Sequence, residues 1–270
     1  MATFLFWNIH RKPIIDHIVK LAHIYKVDVL MLAESVIPKI TLEKALNAGQ
    51  RELYFPDTGI SNEIQIVTRY LHRSIRPMRD FGGIAIRHIE PPIGNSILLV
   101  VAHLPSKLYQ TEDDQIFECS RLSKFIAEAE EKVGHNRTIL IGDLNMNPFE
   151  KGIISSDGLH ALSDSRIVQR RFRRVRDEDK IFFYNPMWNH FGDMSPTPPG
   201  TYFFDTGRYV NFYWHMFDQI LLRPELLYAF QNENLQIITE IDGISLLNEL
   251  GRPNLTIGSD HLPVFLRLNL

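Results

Sequence analysis

The sequence contains a single cysteine, Cys119, among its 270 residues. An intrachain disulfide is therefore excluded, and with it the class of small scaffolds that disulfides hold together. Cys119 falls within Glu112–Val133, where apolar residues recur at helical spacing. We expect it to be a buried packing thiol rather than a nucleophile.

Long apolar runs are also missing. No segment approaches the roughly 18 consecutive apolar residues that a membrane-spanning helix requires. The segment MATFLFWNIHRKP lacks a basic start followed by a long apolar stretch, so it predicts a strand rather than a signal peptide. These features predict a protein without membrane contact in a reducing, cytoplasmic location.

A large excess of charge of one sign is absent as well. The formal net charge is −3, so any contact with a polyanion must be local rather than spread over the surface. Hydrophobic residues make up 44% of the chain, which is enough to form a substantial core. We expect one domain over residues 1–270.

Apolar runs of strand length are frequent, and β-branched residues are common in them. The runs are Thr3–Trp7, Val27–Ala33, Ile84–Ile86, Ile97–Ala102, Thr138–Ile141, Phe217–Leu222 and Leu262–Leu268. Helical patterns over Pro13–Tyr25 and Glu112–Val133 lie between them. The chain is therefore predicted to contain both strands and helices.

The order of these elements is not a strict alternation of strand and helix. The turn signals between Ile84–Ile86 and Ile97–Ala102 are Pro91, Pro92, Gly94 and Asn95, which predict a hairpin. We therefore expect two mixed or antiparallel sheets with helices outside them. The segment Arg166–Pro199 is rich in charge and proline and predicts a long surface excursion.

Polar residues lie at one end of most strand-like runs. Four runs lead into Asn8, Glu34, His103 and Asp143, with Asn145 two residues further on, whereas Asp218, Asp260 and His261 lie at the start of later runs. If the later strands are antiparallel to the others, all these residues meet at one rim. Each alone has an ordinary explanation, such as a cap or an Asx turn, so the predicted site depends on the whole set.

Two segments, GDLNMNP (Gly142–Pro148) and GSDHLPV (Gly258–Val264), closely resemble the signatures of the endonuclease/exonuclease/phosphatase superfamily. Supporting motifs occur in the order found in that family: FWN with Asn8, LAES with Glu34, VAHL with His103 and FDQIL with Asp218. The sequence departs from the family pattern at Ala33, where many relatives have Gln, and at Gln219, where Tyr is frequent. Neither departure replaces a catalytic group.

The resemblance implies a fold and a chemistry. The fold is a four-layer α/β sandwich like that of deoxyribonuclease I, with two mixed sheets packed face to face and helices outside. The chemistry is hydrolysis of phosphoesters that depends on a divalent metal, Mg²⁺ with Mn²⁺ tolerated. The implied metal ligands are Asn8, Glu34 and Asp260.

The resemblance also implies roles for five catalytic residues. Asp143 orients or deprotonates the attacking water, while Asn145 and His103 donate to the phosphate. His261 is oriented by Asp218, as the histidine of a catalytic triad is oriented by its carboxylate. The sequence leaves open whether Asp143 or His261 is the formal base.

Nucleic acid is the substrate that we predict, so we expect a nuclease with a nucleic-acid partner. The stretch Arg166–Arg176 is dense in arginine, and we expect Arg171, Arg173 and Arg174 to contact phosphates. Tyr202 and Trp214 are predicted to contact substrate near the rim. The arginine stretch has a second interpretation as a solvated face paired with acids, because acidic residues follow it directly.

Two other functions remain open. One is a phosphatase or phosphodiesterase of a small phosphorylated molecule. The other is a non-catalytic regulatory protein that keeps the fold. The sequence does not distinguish DNA from RNA or endonuclease from exonuclease activity, and it leaves the oligomeric state open.

Overall fold

The computed structural model describes residues 1–108, 110–195, 197–207 and 209–270. The α-helices are α1 (Ile15–Ile24), α2 (Lys39–Asn47), α3 (Glu112–Val133), α4 (Lys151–Ile154) and α5 (Ser165–Val168). Short 3₁₀ helices cover His72–Ser74, Pro186–His190, Pro224–Ala229 and Asn232–Asn234. Within these ranges, no helix combines the length and apolar character needed to cross a membrane.

The strands follow in chain order. The first nine are β1 (Ala2–Asn8), β2 (Val29–Ala33), β3 (Phe55–Pro56), β4 (Ile64–Thr68), β5 (Ile75–Phe81), β6 (Ile84–Ile89), β7 (Ile97–His103), β8 (Thr138–Asp143) and β9 (Ala161–Leu162). The others are β10 (Phe172–Val175), β11 (Glu178–Ile181), β12 (Phe183–Tyr184), β13 (Tyr202–Phe203), β14 (Trp214–His215), β15 (Asp218–Leu222), β16 (Leu235–Ile237), β17 (Glu240–Ile241), β18 (Ile244–Ser245) and β19 (Val264–Leu268).

Most of the longer strands form two mixed sheets. One has six strands in the order β16-β19-β1-β2-β4-β3, and the other has seven in the order β5-β6-β7-β8-β15-β12-β9. The pairs β1–β2 and β7–β8 are parallel, whereas β19 and β15 run antiparallel to β1 and β8. The predicted hairpin is confirmed as the antiparallel pair β6–β7.

The side chains of β8 show how the layers are packed. Ile139 and Ile141 lie in the core between the two sheets, together with residues of β1 and β19. Leu140 points to the other face and packs with Leu122 and Ile126 of α3. Alternate residues of one strand thus enter two different cores, as the period of two in a strand requires. The four-layer α/β sandwich predicted from the sequence is confirmed.

Helix α3 has the predicted bounds because both ends are capped. Thr111 and Asp114 form a reciprocal capping box at the start, and Gly134 ends the helix in the left-handed conformation with φ 72°. Cys119 is buried on the inner face of this helix. Burial raises the pKa of its thiol to about 12, helped by Glu118 and Glu150, so the predicted packing thiol is confirmed.

The prediction of a surface excursion over Arg166–Pro199 was wrong for part of the segment. Strand β12 lies between β15 and β9 inside the seven-stranded sheet, and Phe182 and Phe183 are buried. A strand of two residues is too short to produce a periodic pattern, so its burial depends on tertiary packing. The preceding hairpin β10–β11 is largely exposed, as predicted.

Gly142 permits the close pairing of β7 with β8 next to Asp143. A Cβ atom at Gly142 would lie 1.8 Å from the carbonyl oxygen of Ala102. We therefore expect Gly142→Ala to lower the free energy of unfolding by about 1–3 kcal/mol, because the two strands must separate. Chemical denaturation measures this change.

Gly207→Ala is the matched control, since a Cβ atom there meets nothing within 4 Å. It should stay within about 0.5 kcal/mol of the wild type. Equal stability of the two variants would contradict the close approach at Gly142.

Candidate active site

The polar residues predicted to converge do lie at one rim of the sandwich. In the six-stranded sheet, β1 ends at Asn8 beside Ala33, and Glu34 follows directly. In the seven-stranded sheet, Asp143 is paired with His103 on one side and Asp218 on the other. The antiparallel strands β15 and β19 begin where the parallel pairs end, so the predicted convergence is confirmed.

Asp143 is the central carboxylate and is almost completely buried. Its Oδ2 accepts a hydrogen bond of 3.0 Å from the Asn8 amide, which belongs to the other sheet. Its Oδ1 accepts from the backbone N–H of Asn145 at 2.9 Å. These bonds fix the carboxylate in one orientation, so its position depends on both sheets.

His261 and Asp218 form a buried pair. Nδ1 of His261 lies 2.8 Å from Oδ2 of Asp218, which orients the ring so that Nε2 is 3.8 Å from Oδ2 of Asp143. The backbone of His261 is also held on both sides. Its carbonyl accepts a hydrogen bond from the Trp7 indole at 2.9 Å, and its backbone N–H donates to Ser259 Oγ at 3.2 Å. An ionised carboxylate only accepts, so Nδ1 is the donor to Asp218.

The environment shifts two pKa values upward. Burial raises the pKa of Asp143, although the nearby His261 opposes this. Burial disfavours the His261 imidazolium, but the carboxylates of Asp218 and Asp143 outweigh that effect and raise its pKa. A neutral pH therefore favours a protonated His261, which can donate from Nε2 toward the cavity.

His103 and Asn145 complete the predicted catalytic set. His103 Nε2 lies 3.7 Å from Glu34 Oε1 and 3.9 Å from Asp143 Oδ2, so it faces the cavity centre. Asn145 has a positive φ of 50°, and its amide donates to the carbonyl of Leu104 at 2.8 Å. That bond uses one of the two amide hydrogens of Asn145.

Two groups of residues have the chemistry to hold a cation. Ligand atoms of Asp143, Asp218 and His261 all lie within 4.8 Å of one another, a spacing that a metal ion can bridge. In this group, however, His261 and Asp218 already bond to each other. A cation there would have to replace that bond.

The second group is the predicted set of Asn8, Glu34 and Asp260. Glu34 Oε1 accepts from Asn8 at 3.3 Å, while Asp260 Oδ2 lies 3.4 Å from His10 Nδ1. Asn8 Oδ1 accepts from the His10 backbone at 3.0 Å and keeps a second lone pair. Glu34 and Asp260 offer carboxylate oxygens and Asn8 an amide oxygen, so the chemistry of the set suits a hard divalent cation such as Mg²⁺.

His10 and Arg11, which were not among the predicted site residues, also line the cavity. Both have positive φ, 46° and 57°, a strained conformation that the turn after β1 imposes. Arg11 Nε lies 3.9 Å from Glu34 Oε2. Their position two and three residues after Asn8 of the FWN motif was the signal that the sequence offered.

The predicted substrate contacts divide into two groups. Tyr202 lines the cavity, and its ring centroid lies 4.7 Å from that of His261. Trp214 packs edge-on against Phe203 at 5.4 Å, outside the cavity lining.

The arginines lie on or beside the exposed β10–β11 hairpin and do not line the cavity. Arg171 pairs with Glu225, Arg173 donates to His160 at 3.1 Å, and Arg174 reaches the Asp177 carbonyl at 3.4 Å. The structure does not bring them to the rim, and their contact with substrate stays a prediction.

Asp218 stabilises the protonated form of His261, and this effect can be measured. Asp218→Asn removes the largest favourable charge, so the His261 pKa should fall by about 1–3 pH units. Titration of the ring by NMR measures this change. Asp242→Asn, at an exposed carboxylate bonded to Lys20, is the control and should leave the pKa unchanged. An unchanged pKa in Asp218→Asn would contradict the pairing.

Comparison with known proteins places this geometry in a structural context. No family model and no curated protein matches the sequence. Among solved structures, an endonuclease/exonuclease/phosphatase family protein from Leptotrichia buccalis matches with a TM-score of 0.59 and 13% identity, covering 100% of both chains. The 3′ phosphatase NExo from Neisseria, bound to a product DNA hairpin, gives the same TM-score of 0.59, 13% identity and 100% coverage of both chains.

A third match is TDP2 from D. rerio, complexed with a single-strand DNA product. Its TM-score is 0.55 with 18% identity, covering 100% of this chain and 99% of that chain. Matches with identities this low show a shared fold and do not establish a shared activity. The matches over the full length of the chain show that it has the endonuclease/exonuclease/phosphatase fold.

Proposed function

We propose that this chain is a divalent-metal-dependent phosphoester hydrolase, and that its substrates are the phosphodiesters of DNA or RNA. The observation that supports it best is the juxtaposition of Asp143 with the His261–Asp218 pair. Oδ2 of Asp143 and Nε2 of His261 lie 3.8 Å apart and face the same cavity of about 1310 Å³. A carboxylate beside a cationic donor suits an oriented water and a charged phosphate.

The residues have complementary roles in this proposal. Asp143 accepts a hydrogen bond from the attacking water and directs its lone pair at phosphorus. His261, held by Asp218, donates from Nε2 to a phosphoryl oxygen, while His103 and Asn145 donate from the other side. Because the charge on phosphate is spread over several oxygens, several donors stabilise it better than one.

Asn8, Glu34 and Asp260 would hold the metal in this proposal. A bound Mg²⁺ or Mn²⁺ would neutralise charge on the phosphoryl and leaving oxygens. Asn8 also orients Asp143 through its amide, so it connects the two parts of the site.

The identity of the substrate has support from the comparisons. NExo and TDP2, whose fold this chain shares, were each solved with a DNA product. The location of the arginine hairpin outside the cavity favours the second candidate, a phosphatase or phosphodiesterase of a small phosphorylated molecule.

A cytoplasmic location also stays a prediction.

Product analysis distinguishes these functions. The purified chain is incubated with plasmid, single-stranded DNA, RNA and small phosphoesters, each with Mg²⁺, Mn²⁺ or EDTA. We expect metal-dependent cleavage of nucleic acid. Hydrolysis of small phosphoesters alone would support the second candidate, and no hydrolysis at all would support a non-catalytic protein.

His261→Ala tests the proposed donor. We expect turnover to fall by about 10²–10⁴-fold, because the variant loses proton donation to the phosphate. Initial rates on bis(p-nitrophenyl) phosphate with Mn²⁺ measure the change, and circular dichroism checks the fold. His72→Ala, at an exposed histidine outside the cavity lining, should keep full activity. Wild-type rates in His261→Ala would rule out this role.

Glu34→Gln tests the metal site. Loss of one anionic ligand should raise the Mg²⁺ concentration needed for half-maximal rate by about 10-fold or more. The matched control is Glu63→Gln, another glutamate of the cavity lining that lies outside the proposed ligand set. If both variants gave the wild-type Mg²⁺ titration, Glu34 would be excluded as a ligand.

A further inference from the structure

One side of the cavity is lined by aromatic side chains, which we call the aromatic wall. Its members all contribute to the cavity lining and lie close to the candidate catalytic residues. They are Phe149, Tyr202, Phe204, Phe212, His215 and Phe217. The roles proposed above for phosphate and metal use none of these residues.

Part of the wall is a column of nearly parallel rings. The ring centroids of Tyr202 and Phe217 are 5.4 Å apart, with 20° between the ring planes. Those of Tyr202 and Phe204 are 6.4 Å apart, with 16° between the planes. Tyr202 also lies 4.7 Å from the ring of His261. The column therefore extends from the proposed phosphate donor to Phe204 at the outer side of the wall.

The outermost rings of the wall are exposed. Phe204 is 44% exposed and Phe212 is 50% exposed, although phenylalanine contains no polar atom to benefit from water. Phe212 is held by Phe149 at 5.2 Å, so it has a ring neighbour on one side. Two exposed rings beside a catalytic centre form an apolar surface that a substrate can cover.

The polar groups beside these rings already have partners. Asn147 bonds to His215 Nδ1 at 3.0 Å and to the backbone of Met216 at 3.0 Å. The amide of Asn211 bonds to Asp205 at 3.0 Å and to the Thr206 carbonyl at 3.1 Å. Asn211 uses both amide hydrogens and Asn147 uses one, so the wall offers a base mainly ring faces. Stacking of this kind tolerates any base.

We propose that the aromatic wall stacks an unpaired nucleobase of the nucleotide that carries the scissile phosphate, and that the enzyme therefore prefers single-stranded nucleic acid. The inference rests on the proposed phosphodiesterase function and deepens it. A base within a duplex has both faces covered by its neighbours, so it cannot cover Phe204 or Phe212 unless it leaves the stack. Ring contacts from His261 to Tyr202 and from Tyr202 to Phe204 connect the proposed phosphate donor to the stacking surface.

A cycle of substrate and protein changes tests the stacking. The substrates are short single-stranded DNA oligonucleotides with one base at a time replaced by an abasic tetrahydrofuran residue. The proteins are the wild type, Phe204→Ala and Phe212→Ala. Dissociation constants are measured by fluorescence anisotropy in EDTA, so that no cleavage occurs.

We expect each alanine variant to weaken binding of the intact oligonucleotide by about tenfold. Removal of the base at one position of the oligonucleotide should weaken binding to the wild type by a similar factor. On that abasic oligonucleotide the alanine variants should bind almost as the wild type does, because the same contact is already lost. Phe204→Tyr should keep the affinity, whereas Phe204→Leu should lose it. Phe117→Ala, at a 64% exposed ring on α3 outside the cavity lining, is the control and should bind as the wild type does.

Two results would overturn the stacking. In one, the alanine variants bind the intact oligonucleotide as tightly as the wild type does. In the other, Phe204→Leu keeps full affinity, which would mean an apolar contact without stacking. The proposed hydrolysis fails separately: base-dependent binding without metal-dependent cleavage would leave the wall as a nucleic-acid site and remove the phosphodiesterase function.

Discussion

The register of three strands around Asp143 determines the rest of the site. Because β8 pairs in parallel with β7 and antiparallel with β15, Asp143 lies between His103 and Asp218 at one level of the sheet. The close approach at Gly142 permits this pairing. A shift by one residue would turn Asp143 toward the opposite face of the sheet, since side chains alternate along a strand.

The six-stranded sheet repeats this arrangement and supplies the remaining polar residues of the rim. Its parallel pair ends at Asn8 and Ala33, with Glu34 next in the chain, and its antiparallel strand β19 begins three residues after His261. The hydrogen bond from Asn8 to Asp143 joins the two rims. Burial alone would neutralise both Asp143 and His261, but each favours the charged form of the other. The polar centre is therefore stabilised by mutual interaction rather than by solvent.

The sequence predicted those features that depend on local pattern. Apolar runs that end in Asn8, Glu34, His103 and Asp143 predicted both the strands and their shared rim. It could not predict features that depend on tertiary packing. Strand β12 is too short for a periodic signal, and the arginines of β10 lie on an exposed hairpin. The aromatic wall combines residues of strands β13 and β14 with residues of separate loops. Roles of individual site residues remain predictions.

The contribution of both sheets to one site has a consequence for the hydrophobic core. The spacing between the sheets is set by side chains such as Phe6, Ile141 and Ile220, which lie far from solvent. That spacing also sets the separation of Asn8 from Asp143 and of His261 from Asp143. Packing in the core therefore determines the distances between residues at the rim. A change in the volume of a core side chain would alter those distances as well as the stability of the fold.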